Sequence, residues 1–335
     1  MKPTITSVLY NGINCLELRT DGYLGLFCPG LGANMLRFYD IQKEYEIFNF
    51  NENVSIEELK ESICLHGLPS LYLPNRFSNG VIKTSDNIYN MPINEPLFNN
   101  FIHGWIHQRE FKVIEKTCTE DYCSVSAEFV FDKNDEYYEH FPLEHKITIT
   151  YTLSNNGLEY TFEIINLSNK MLPVVVGAHT AFNLHFCKDS ADSDIRLKAN
   201  VLKKSLLNEA TLCSTGEIVA LDDYDLSIKN GTMNPLTTSI DNKMYIVEGI
   251  KNEDTNFYGV EIFDDRLKKG ILYEASEEFK YWLFWNHWAQ IGICCPEPMS
   301  ALINSPNIPL DKEVTGYCEI KPNEAWLGRQ RISTY

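Results

Sequence analysis

Several familiar signatures are missing from this 335-residue chain, and each absence narrows its chemistry. No CxxC pair occurs among its ten cysteines, which argues against a structural zinc site. Neither a GxGxxG run nor a P-loop is present, so the phosphate-cradling loops of dinucleotide and nucleotide enzymes are lacking. No GxSxG elbow appears, which disfavours a Ser-His-Asp hydrolase. Positive charge is scarce: 29 Lys and Arg face 46 Asp and Glu, a formal net charge of -17. A surface that acidic repels nucleic-acid backbones and anionic lipid, so neither nucleic acid nor membrane is an expected partner. No apolar run approaches the roughly 20 residues needed to span a bilayer. The opening MKPTITSVLYNG lacks a basic region followed by an apolar core, which predicts no secretory signal and a cytoplasmic protein. In that compartment the scattered cysteines are expected as reduced thiols, with Cys118 and Cys123 able to face each other across a hairpin.

Helical periodicity is also rare, Ser55 followed by IEELKES being a short capped exception. Period-2 alternation takes its place. His145 to Leu153 alternates cleanly, SNNG follows, and LEYTFEIIN continues as a second strand. VLYNGINCLELRT folds back across Asn11-Gly12 and again across Thr20-Asp21-Gly22 toward Tyr23. Further strands are predicted at residues 110–115, 123–131, 173–178, 245–248, 258–263, 270–274 and 281–285. No repeat or linker divides the chain. The expectation is all-β: a large β-sandwich with few short helices, forming a single domain over residues 1–335.

Four local features could carry chemistry. Glu297 is the one carboxylate in the aromatic and apolar run Tyr281 to Asn304, and it sits between Pro296 and Pro298. Buried there, it would have a raised pKa and suit a general base; the alternative is a solvated loop residue. Asn75-Arg76 lies in LPNRFSNG, where the guanidinium could bind hydroxyls or simply pair with an acidic side chain. His103, beside Gly104 and Trp105, could lie in an aromatic cleft, or with His107 invite a weak metal reading. His179 follows the apolar strand Val174–Ala178 and is either a hydrogen-bonded core residue or a tuned proton donor. A glycosidase would want two well-placed carboxylates, and only one is singled out by its context.

In their order and spacing these segments resemble the aldose 1-epimerase (galactose mutarotase-like) family over most of the chain. The matching segments are PGLGAN at 29–34, which looks like the family's early glycine-rich strand, PNRFSNG, MPINEPLFNNFIHG, FPLEHKITITYTL, EIINLSNKMLPVVVGAHTAFNL and CPEPMSALINSPN. The resemblance implies a β-supersandwich and an isomerase that uses no cofactor and no metal on a small-molecule aldose. It makes Glu297 the general base, His179 the general acid, and His103 a holder of the ring oxygen or a hydroxyl. Asn75, Arg76 and, by the loosest match, Asp241 would anchor sugar hydroxyls. Trp282, Phe284, Trp285 and Trp288 are expected to lower the polarity around Glu297. Two departures bear on substrate: His103 is followed by Gly-Trp instead of a double glycine, and GAHTAF lies between two subfamily forms. A hexose phosphate, with Arg76, Lys83 and Arg109 as candidate ligands, or a sugar-binding role without turnover therefore stays open, as does a homodimer.

Overall fold

A computed structural model describes residues 2–251 and 256–335. Its strands pair almost entirely antiparallel, as short hairpin connections require. Five N-terminal strands form a meander from Thr4–Tyr10 to Tyr45–Glu46, turning first at Asn11 and Gly12, both with positive φ. A nine-stranded sheet is built around the long strands Tyr122–Phe131, His145–Ser154, Gly157–Asn166 and Ala325–Thr334. An eight-stranded sheet carries Tyr281–Trp285, Ile293–Met299, Val176–Ala178 and Ser70–Tyr72 side by side. The large β-sandwich expected from the period-2 pattern is present, and its helices are short: Ile56–Glu61, Asp223–Lys229 and Lys312–Thr315 among the described residues. The first of these starts with the reciprocal Ser55–Glu58 capping box that the sequence predicts. Among the described residues no helix is long and apolar enough to cross a membrane.

The two large sheets enclose the main core. Tyr151, Tyr160, Phe162 and Tyr273 from one sheet meet Val176, Trp282, Phe284 and Cys294 from the other. Their tyrosine hydroxyls do not stay unpaired. Tyr160 shares a 2.7 Å hydrogen bond with Ser70 and Tyr273 a 2.8 Å bond with Thr180, so the nine-stranded sheet props the two segments flanking His179. Tyr273 also donates to Gln330 Oε1 at 2.5 Å, which ties the prop into its own sheet.

Three expectations change. The apolar run at residues 173–178 is two strands, Leu172–Val174 and Val176–Ala178, in different sheets. PGLGAN forms a turn between strands; there Gly32, at φ +63°, faces the His107 backbone so closely that a Cβ would lie 2.5 Å from its Cα. Not all thiols are reduced: Cys15 and Cys28, opposite each other on neighbouring strands with Cα atoms 4.7 Å apart, form a disulfide. Strand register brought them together, which their spacing of 13 in sequence does not reveal. Cys118 and Cys123 do face each other in the ladder, and both are free.

The Asn-Asn turn yields a test. Gly157 has φ +120°, and an added Cβ would sit 2.2 Å from the Ile332 carbonyl oxygen. Gly157→Ala is expected to destabilise the fold by about 2 kcal/mol or more, read as a lower urea midpoint with an unchanged slope.

Candidate active site

Glu297 occupies an interior strand of the eight-stranded sheet and is 2 % exposed, so it is not a loop residue. Side chains alternate along Ile293–Met299. Cys294 faces the main core, whereas Ile293 and Cys295, and beyond them Met299, join small clusters on the opposite face. Glu297 shares that opposite face. Across the ladder Leu283 pairs with Glu297 and Trp285 with Cys295, so Trp285 flanks the carboxyl side. Trp282 and Phe284, expected beside Glu297, point instead into the main core, because period-2 alternation divides that aromatic run between two faces.

The prolines have a backbone role. Ser300 N–H donates to Val176 O, so even-numbered residues of this strand direct their peptide groups toward Val176–Ala178. That neighbour pairs only at Met299, and Phe182–Asn183 pairs at Cys294 and Ile293. Pro296 and Pro298 fall in the gap, where a missing N–H costs no ladder bond. The sheet parts there, and His179 fills the opening: it follows Ala178 and is held by its own N–H on Pro69 O at 2.9 Å.

His179 Nε2 lies 3.2 Å from Glu297 Oε1. The His103 ring stands edge-on to His179 with centroids 5.3 Å apart, and the Trp285 ring lies 6.1 Å from that of His179. His103 is at φ +63° and Gly104 at +62°. Gly104 presses against Tyr72, where a Cβ would lie 2.0 Å from the carbonyl oxygen, and His103 N–H bonds Asn75 O at 2.9 Å. The glycine after His103 is therefore what lets this loop lie against the strand leading to Asn75. Asn75, at φ +54°, is buried beside the carboxyl.

Arg76 is largely committed within the protein. Its Nε and Nη2 fork onto Glu95 at 2.9–3.0 Å, while Nη1 donates to Asn242 Oδ1 at 3.1 Å and Asn75 Oδ1 at 3.4 Å. Asp241 arrives on the loop that Asn286 clamps through Ile240 N–H and the Pro235 and Thr238 carbonyls. One Asp241 oxygen accepts from Ser239 Oγ and Trp288 N–H at 2.6 and 2.7 Å. Glu95, Asn242 and Asn286 were missed in the sequence; isolated polar residues on distant loops carry no local signal.

Burial dominates the electrostatics. Lost hydration pushes the Glu297 carboxyl up to about 8, partly offset by the Arg76 charge and the Asn75 amide. The same cause draws His179 down to about 4 and His103 well below the ordinary imidazole range. Glu297 Oε2, His103 Nδ1 and Asp241 Oδ1 are buried without a hydrogen-bond partner among the described residues. Such atoms are costly to leave unpaired, so the packing around the histidine–carboxyl pair has to hold them in place.

The model of the aldose 1-epimerase family matches residues 14–333. A crystal structure of a galactose mutarotase-like protein from Clostridium acetobutylicum is similar at TM-score 0.95 and 31% identity, covering 100% of this chain and 99% of that one. The structure of galactose 1-epimerase from Lactobacillus acidophilus NCFM shares the fold at TM-score 0.72 and 15% identity, with 99% of each chain covered. Protein LacX, plasmid, of Lactococcus lactis subsp. lactis is 21% identical over 217 residues, 64% of this chain and 68% of that protein. With the family model matched along nearly its whole length and the galactose mutarotase-like fold around a buried histidine–carboxyl pair, this chain belongs to the aldose 1-epimerase family.

Proposed function

We propose that the protein is an aldose 1-epimerase, interconverting α and β anomers of a free aldose with Glu297 as base and His179 as acid. The observation that carries this reading is the buried 3.2 Å contact between Glu297 and His179. Between about pH 4 and about pH 8 the two groups hold one proton between them. Ring opening needs that inventory. The Glu297 carboxylate takes the proton from the anomeric hydroxyl, C1 becomes a carbonyl, the bond from C1 to the ring oxygen breaks, and the His179 imidazolium protonates that oxygen. The pair still holds one proton, now on Glu297. Rotation about the C1–C2 bond presents the other carbonyl face, and reclosure returns both protons by reversed roles. Burial favours the neutral carboxyl with neutral imidazole, which is the pair's state after ring opening. Arg76 and Asn75 favour the carboxylate that begins the reaction. His103 and Asp241 would hold ring hydroxyls.

A free aldose is favoured over a sugar phosphate by charge. Arg76 is neutralised by Glu95, and Arg109 by Asp135 and Glu136 at 2.8 Å each. Neither arginine can meet a phosphate without breaking an ion pair that is already partly desolvated.

Three outcomes test the reading. Glu297→Gln should slow anomerisation by about 10²–10⁴-fold, measured by polarimetry or NMR exchange on glucose and galactose; parental rates would remove Glu297 from the base role. The pH profile of kcat/KM should be a bell with limbs near 4 and 8, assigned to the pair as a unit. Stability should report the same buried carboxyl. Between its ordinary 4.5 and about 8 the folded state holds a proton that the unfolded chain has lost, so this group's contribution falls as pH rises through that window. Glu297→Gln removes the loss. It should melt higher than the parent, by a margin that widens from pH 4.5 to 8 and is on the order of 3 kcal/mol at pH 7.

A further inference from the structure

Arg76 brings a fixed positive charge to the Glu297–His179 pair, and Glu95 fixes Arg76 in turn. Arg76 Nε approaches both Glu95 oxygens at 2.9–3.0 Å, and Nη2 meets Oε1 at 3.0 Å. The Glu95 carboxylate is itself clamped. Glu95 and Asn100 exchange backbone hydrogen bonds at 3.0 and 3.2 Å. Asn100, fully buried, also donates through Nδ2 to Glu95 Oε2 at 2.8 Å and to Thr211 O at 2.7 Å. The short strand that it starts, Asn100–Ile102, pairs with Arg76–Ser78 and sets Ile102 opposite Arg76, with His103 next in the chain. One hairpin therefore delivers Glu95 to the arginine and His103 to the imidazole.

The remaining guanidinium nitrogen, Nη1, faces Asn242 and Asn75, and the Asn75 amide lies against Glu297. Beside the larger effect of burial, the Arg76 charge makes Glu297, His179 and His103 each release a proton more readily. The other groups around the carboxyl stay neutral. Burial raises the thiols of Cys64, Cys294 and Cys295 and the Tyr273 hydroxyl, and it keeps His103 unprotonated. Asp241 acts on Cys294 and Cys295 from its own loop and is unchanged in every variant below. A carboxylate 2.9 Å from Arg76 subtracts from the field that the arginine exerts on the pair.

We infer that Glu95 is a positioning residue for the proposed reaction: it holds Arg76 beside Asn75 and cancels part of the arginine's field at the Glu297–His179 pair. The effect on rate rests on the epimerase reading; the effect on the carboxyl does not. Without the Glu95 charge, Arg76 acts uncancelled and both members of the pair give up protons at lower pH.

Carboxyl-labelled ¹³C NMR of the full-length protein follows the Glu297 titration with or without turnover, the signal being the one that Glu297→Gln removes. Glu95→Gln should lower the Glu297 midpoint by about 0.5–1 pH unit. Glu95→Asp, which keeps the charge, should stay closer to the parent. Arg76→Gln should move the midpoint the other way. The double variant Arg76→Gln/Glu95→Gln, which leaves neither charge buried without its partner, should fall below Arg76→Gln alone. A merely structural ion pair would lower the urea midpoint of these variants and leave the titration in place. A Glu297 midpoint that moves neither in Glu95→Gln nor between Arg76→Gln and the double variant would overturn the inference. The pH profile of kcat/KM is read in parallel, where Glu95→Gln should carry both limbs to lower pH together. A shifted carboxyl with no anomerisation by the parent keeps the role of Glu95 and removes the epimerase reading; anomerisation with an unmoved midpoint and unmoved limbs does the reverse.

Discussion

An imidazole and a carboxyl are buried together on one face of the eight-stranded sheet, 3.2 Å apart, with other polar atoms around them left unpartnered. Leaving such groups out of water opposes folding by kilocalories, so the surrounding structure must over-determine their positions. The sandwich does so from beneath. Tyr160 and Tyr273 span the core to hold Ser70 and Thr180, on either side of the His179 backbone. Each tyrosine satisfies its own hydroxyl while fixing a segment of the site, so core packing and site geometry are one arrangement.

Above the sheet, loops supply the remaining groups at some backbone cost. Asn75, His103 and Asn242 all adopt left-handed conformations, as do His287, Trp288 and Ala289 in succession. Asparagine and histidine tolerate that region better than most residues; Trp288 and Ala289 do not. Strain of this kind persists only where neighbours enforce it, and here Asp241 holds the Trp288 N–H. Arg76 joins these loops through Glu95, Asn75 and Asn242, and its charge also biases Glu297 toward the carboxylate. It links the site together more than it reaches outward.

Much of this was legible in the residues. Hairpins announced themselves through alternation and Asn-Gly or Asn-Asn-Gly turns, because a half-buried strand must alternate and a two-residue turn needs left-handed backbone. Glu297, His179 and His103 stood out by context, since a lone carboxylate in an apolar run and a histidine at the end of one are unusual. Other features were illegible. The split of the aromatic run into core-facing Trp282 and Phe284 and site-facing Trp285 depends on register. The engagement of Arg76 with Glu95 depends on a loop 19 residues away, and the Cys15–Cys28 bond on strand pairing.

The sequence by itself determined the all-β character, the hairpins, the order of the chemical motifs and a strongly acidic net charge. These follow from local backbone preference and summed charge, which need no partner to be read. Only the tertiary structure decided that Glu297 and His179 are buried 3.2 Å apart and that Arg76 and Arg109 are already engaged by acidic side chains. Each of those depends on desolvation and on distances between residues far apart in the chain, quantities that exist only once the sheets have closed on one another.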